Sequence, residues 1–176
     1  MGAARFLKAM AFVAIFNGAL ALCVREEVLA SEKEEEAKQY TEQLRKGKDA
    51  KSKITALQEL GKLAQVKKSF ITDALPDVYK ATADKDPGVR AAAAEALGKA
   101  DEPYSKAGEV LVKMVKGDKD ESVKIAAIRG LTVMGPGAKE ALPAIRDVVK
   151  ATAGDKKSKL GQTAKDALKA LGGGRK

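Results

Sequence analysis

The chain has 176 residues, enough for one domain of ordinary size, and carries a formal charge of +9 from 33 basic and 24 acidic residues. Apolar residues make up 45% but aromatics only 4%, which suits helices in close contact and argues against a β-sandwich. Histidine is absent and Cys23 is the single cysteine. That excludes His-based acid–base chemistry, His-ligated metal, thiolate clusters and an intrachain disulfide.

The N-terminal stretch has the layout of a secretory signal peptide. Arg5 and Lys8 make a short basic start, residues 9–24 are uncharged and mostly apolar, and a Glu-rich stretch follows. Small residues place cleavage after Ala21 or after Ala30, and the sequence does not choose between them. Left uncleaved, residues 9–24 would be a membrane anchor, although sixteen residues are short for a span of roughly 20. A third reading lipidates Cys23, with Leu22 standing where a small residue is expected. Myristoylation of "MGAARF" is disfavoured by Phe6. Loss of residues 1–30 removes three basic and two acidic residues and leaves +8, so the basic character belongs to the rest of the chain. The expected destination is export, periplasmic or secreted.

Residues 31–47, "SEKEEEAKQYTEQLRKG", set Tyr40 and Leu44 four apart among charges, and read either as a charged linker or as a first helix. An internal repeat follows. "DAKSKITALQELGK" (49–62) recurs 37 residues on as "DPGVRAAAAEALGK" (86–99), and 34 further on as "DESVKIAAIRGLTVMG" (120–135). A fourth copy, "SKLGQTAKDALKALGG" (158–173), lies 37 beyond the third. The last three copies are each preceded by another amphipathic segment, at 74–84, 108–118 and 141–155. The unit is therefore helix A, short turn, helix B, every 34–37 residues.

Within the second copy, Asp86 is a good N-cap and Pro87 fits the first helical position. Val89, Ala93, Ala96 and Leu97 make one stripe, widened by Ala92 and Ala94, so this helix should press closely on its neighbours. Gly98 and Gly135 are expected as helix stops, and "GGGRK" as a flexible tail over 173–176.

The run Asp86, Pro87, Val89, Arg90, Ala92, Ala93, Ala94, Ala96, Leu97 and Gly98 resembles the HEAT-repeat family. The likeness is to the short bacterial HEAT-like repeats first named from phycobilin lyases, and it covers residues 48–172. The resemblance implies an all-α fold, a right-handed α-α superhelix of about four helix pairs. It also implies a stacking ladder in which the aspartate of one repeat pairs with the basic residue of a neighbour. The positions concerned are Asp49 and Lys53, Asp86 and Arg90, and Asp120 and Lys124. In the fourth copy they read Lys157 and Gly161, where the ladder should end.

Motifs with chemistry are few. "DKDES" (118–122) begins like a calcium loop, but Val123 and Arg129 stand where glycine and glutamate are needed. "GPGAKE" (135–140) lacks phosphate-loop spacing. No carboxylate pair lies in apolar sequence, and capping explains Ser52, Ser105, Ser122 and Ser158. No catalytic, cofactor-binding or metal-binding residue is assigned, and no cofactor is expected. The reading is a noncatalytic adaptor or scaffold for a protein partner, with Lys53, Arg90 and Lys124 as contact residues where they are free of the ladder. One alternative is a basic solenoid for nucleic acid or another polyanion, disfavoured by the export signal, the lysine excess and the few aromatics. The other is an enzyme subunit or lyase-like protein.

Overall fold

The computed structural model describes residues 18–172, with side chains from residue 27. The basic start at Arg5 and Lys8, most of the apolar stretch, the Cys23 side chain and the tail 173–176 lie outside the described residues. Every regular element among the described residues is helical. Helix α1 spans Gly18–Lys46 and α2 Ala50–Val66. A 3₁₀ stretch, Lys68–Ala74, runs into α3, Leu75–Ala81, and α4 spans Pro87–Lys99. A π turn, Tyr104–Gly108, leads into α5, Glu109–Gly117, and α6 spans Glu121–Val133. A second 3₁₀ stretch, Gly135–Ala141, leads into α7, Leu142–Ala151, and α8 spans Lys159–Gly172.

The chain divides into two compact units, 1–36 and 37–176, and α1 crosses the boundary. Residues 31–46, left open by the sequence between linker and helix, are helical. In the second unit Ala37, Thr41 and Leu44 are buried along one helical stripe. There Gln43 donates to the Ser52 carbonyl at 3.0 Å and Arg45 pairs with Asp77 at 2.7 Å. The last turns of α1 thus supply the A helix of the first pair, whose B helix is α2.

The remaining pairs are α3 with α4, α5 with α6, and α7 with α8. Successive B helices stack on one another, and α4 packs extensively against both α2 and α6. This is an all-α solenoid of four helix pairs among the described residues. The core is aliphatic: Leu57, Leu60, Val89, Leu97, Ile128 and Leu131 are fully buried on the B helices. Leu111, Val115 and Ile145 meet them from the A side.

The alanine run does what its stripe requires. Ala92, Ala93, Ala94 and Ala96 are all buried, because α4 lies between two other B helices and has little free surface. Gly98, expected as a stop, is instead inside α4, which continues to Lys99. A Cβ there would lie 2.4 Å from the Gly130 Cα of α6, and one on Gly130 would lie 2.7 Å from the Ala94 carbonyl oxygen. Gly98 serves contact and not termination: the two backbones touch. The reversal after α4 comes at Asp101, which has φ +52, and Gly135, at φ +63, does end its helix.

Gly98→Ala is expected to lower stability by about 1–3 kcal/mol through overpacking, against roughly 1 kcal/mol gained in helix propensity. Gly117→Ala, with nothing within 4 Å of the added methyl, should be neutral or slightly stabilising. Urea denaturation midpoints of the two variants decide the comparison.

Candidate functional site: the turns and exposed face of the B helices

The second, third and fourth A-to-B turns are each built from an aspartate and the amide two residues on, and the first has Gly47 at that position. Asp84 accepts from the Asp86 amide at 3.0 Å, Asp118 from the Asp120 amide at 2.9 Å, and Asp155 from the Lys157 amide at 2.9 Å. The next helix is then capped. Asp49 accepts from the Ser52 amide, Asp86 from the Val89 amide, and Ser158 Oγ from the Gly161 amide.

Arg90 joins two of these turns. Its Nε and Nη2 hold Asp118 at 2.7 and 2.9 Å, and Nη2 also reaches Asp120 at 2.7 Å. Nη1 donates to the Asp84 and Lys85 carbonyls at 2.9 and 3.1 Å. All five guanidinium N–H groups are therefore engaged, in a residue only 8% exposed. One repeat earlier, Lys53 makes the corresponding single bond to Asp84 at 2.7 Å. Lys124 makes no ion pair among the described residues.

The carboxylates respond to these partners. The Arg90 guanidinium holds the Asp118 carboxyl below the usual carboxylate range. The Asp86 amide, followed by Lys53, does the same for Asp84.

On the exposed face of the B helices a cleft of about 600 Å³ lies between α4, α6 and α8. Glu95, Lys99, Arg129 and Asp166 put both charge signs around it, and Val133 and Ala170 supply apolar surface. Arg129 reaches Glu95 at 3.8 Å, and Val133 is 54% exposed.

The family model for HEAT repeats matches residues 37–132, more than half the chain. The chain belongs to the HEAT-repeat family. Among solved structures it is similar to an engineered protein from the Northeast Structural Genomics Consortium, at 26% identity and a TM-score of 0.56. That match covers 77% of this chain, which spans 62% of the engineered protein's length. No curated protein matches the chain.

The geometry sorts the sequence-derived residues of this HEAT-repeat protein. Arg90 and Asp120 are brought together across neighbouring repeats. Asp49 and Asp86 act as N-caps, and the aspartates that meet Lys53 and Arg90 most directly are Asp84 and Asp118, two residues before the expected column. Lys53 and Arg90 are inside the ladder, so the condition for counting them as partner contacts fails, and Lys124 alone meets it. "DKDES" supplies the Arg90 acceptors Asp118 and Asp120. Sequence reasoning passed over the cleft, although the same 37- and 34-residue offsets link Gln58, Glu95, Arg129 and Asp166.

A carboxylate with a depressed folded pKa adds stability above its unfolded value, about 3.9, and loses it as pH falls through the folded value. Asp118→Asn should therefore cost about 1–3 kcal/mol at neutral pH. The gap to the native chain should close as pH drops below about 4. Asp155→Asn, which removes no ion pair, should stay within about 0.5 kcal/mol. Urea titrations across a pH series read both.

Proposed function

We propose that this chain is an exported, noncatalytic HEAT-repeat adaptor that holds a protein partner in the cleft between α4, α6 and α8. HEAT repeats generally mediate protein–protein interaction, through the extended surface that stacked helix pairs expose. The observation that carries the reading to this place is the cleft itself. It combines exposed Val133 and Ala170 with Lys99, Arg129, Glu95 and Asp166 at its margins. Such a surface suits a partner segment with one apolar anchor and charges of both signs beside it. Export rests on the basic start, the apolar stretch 9–24 and the charged stretch after it. The noncatalytic reading rests on the absence of histidine and on carboxylates that cap helices or join repeats.

A photo-reactive residue at Val133 should cross-link one defined protein in the exported fraction. The same residue at Lys113, on α5, should not. Adding Arg129→Glu and Asp166→Lys should reduce the Val133 product by about tenfold or more. Equal products from both positions would discard the cleft, and a full-length tagged chain retained in the cytoplasm would discard export.

A further inference from the structure

The repeat offsets carry a second column that neither the ladder nor the cleft uses. Lys48, Lys85, Lys119 and Lys156 occupy one equivalent position, the middle of each A-to-B turn. All four are exposed, and none makes an ion pair among the described residues. The acids beside them face other groups. Asp49 and Asp86 cap helices, Asp84 meets Lys53, Asp118 and Asp120 meet Arg90, and Asp155 accepts a backbone amide. The second and third turns thus draw their carboxylates toward the fold, Asp49 and Asp155 stay exposed while accepting backbone amides, and every turn leaves its lysine outside.

Further charge lies on the same edge. Lys80, Lys116 and Lys150, all exposed, end the A helices that lead into these turns. The fourth turn places Lys157 where the earlier turns have aspartate, with Lys159 close after it, both exposed. The opposite edge differs: there Lys68 and Lys106 both approach Glu102, at 3.3 and 3.8 Å.

We propose that this lysine edge docks on an anionic lipid surface. Neighbouring repeats stand roughly 10 Å apart, so the four turns span roughly 30 Å. The spacing is about one Debye length at 0.1 M salt, which suits an extended charged surface rather than a single small anion. The row offers ammonium groups on flexible stems, without the arginine forks or aromatic platforms that read nucleic acid. The hollow beside its first turn is lined by Arg45 with Asp77 and Lys53 with Asp84, pairs already neutralised, and its remaining cation is Lys80, which belongs to the exposed edge. The proposal is independent of the protein-binding cleft, which lies on the B-helix face.

The test is sedimentation of the full chain with phosphatidylcholine vesicles, with and without phosphatidylserine. The first variant combines Lys48→Gln, Lys85→Gln, Lys119→Gln and Lys156→Gln. The second removes the same charge elsewhere, through Lys113→Gln, Lys139→Gln, Lys165→Gln and Lys169→Gln. The native chain should bind the phosphatidylserine vesicles, more weakly as salt rises. The turn variant should lose about a hundredfold in partitioning and the control less than about tenfold. Both should keep the native melting temperature within a few degrees. Equal losses in the two variants would overturn the proposal in favour of net charge. Binding to phosphatidylcholine alone, unchanged in the turn variant, would assign the attraction to the apolar N-terminal stretch. Turn-dependent binding to heparin or duplex DNA without binding to vesicles would overturn it in favour of a soluble polyanion.

Discussion

The α4 and α6 backbones meet at Gly98 and Gly130, and the stack has no room for a methyl group at that crossing. The alanines of α4 follow from the same constraint. A helix flanked by a helix on both sides, and covered by its own A helix, must approach each closely enough to exclude water. Small side chains allow this without leaving voids, and the loss of each larger side chain's burial is recovered by van der Waals contact along the whole seam. Leu57, Leu97, Ile128 and Leu131 then fill the space between the two layers.

A seam of small residues has a weakness that Arg90 corrects. Alanine faces are nearly uniform along their length, so sliding one helix against the next changes the contact energy little. Arg90 does not tolerate sliding, because its five bonds fix two turns at once. Taking Arg90 and Asp118 largely out of water is costly, and the network is worth having only because its donors are all satisfied. Lys53, with a single bond to Asp84, ties the first and second repeats less tightly.

The repeat, the pairing of helices and the inner alanine stripe were legible because each imposes a pattern in one dimension: an offset, a cap, a helical period. Pro87 after Asp86 announced a helix start that the structure places there. The function of Gly98 was not legible, since a glycine near a helix end satisfies a stop as readily as a crossing, and only the partner Gly130 distinguishes them. The ladder was legible as a class of contact: Arg90 meets the expected Asp120 but also Asp118, and Lys53 meets Asp84, two residues before the expected Asp86. Two aspartates flank each central lysine at 84–86 and at 118–120, and sequence does not say which one turns inward. The turn amide decides it by holding Asp84 and Asp118 in place. The cleft was hidden for another reason. Glu95, Arg129 and Asp166 read singly as solvated charges, and they become neighbours only once the B helices are stacked.

The fourth repeat departs from the others, and the departure bears on the cleft. Lys157 stands in the position of Asp120, and Lys124 makes no ion pair among the described residues, although Asp155 occupies the position of Asp84 and Asp118. Between the starts of α6 and α8 the Leu160 amide donates to Glu121 at 3.2 Å. Two walls of the cleft, α4 and α6, are therefore locked by the glycine crossing and by Arg90, while the third, α8, is held chiefly by Ala164, Ala167 and Leu171 against the stack. Terminal repeats have one neighbour and open at lower cost than central ones. The cleft is thus made from two helices tied by backbone contact and ion pairs and a third held by apolar packing.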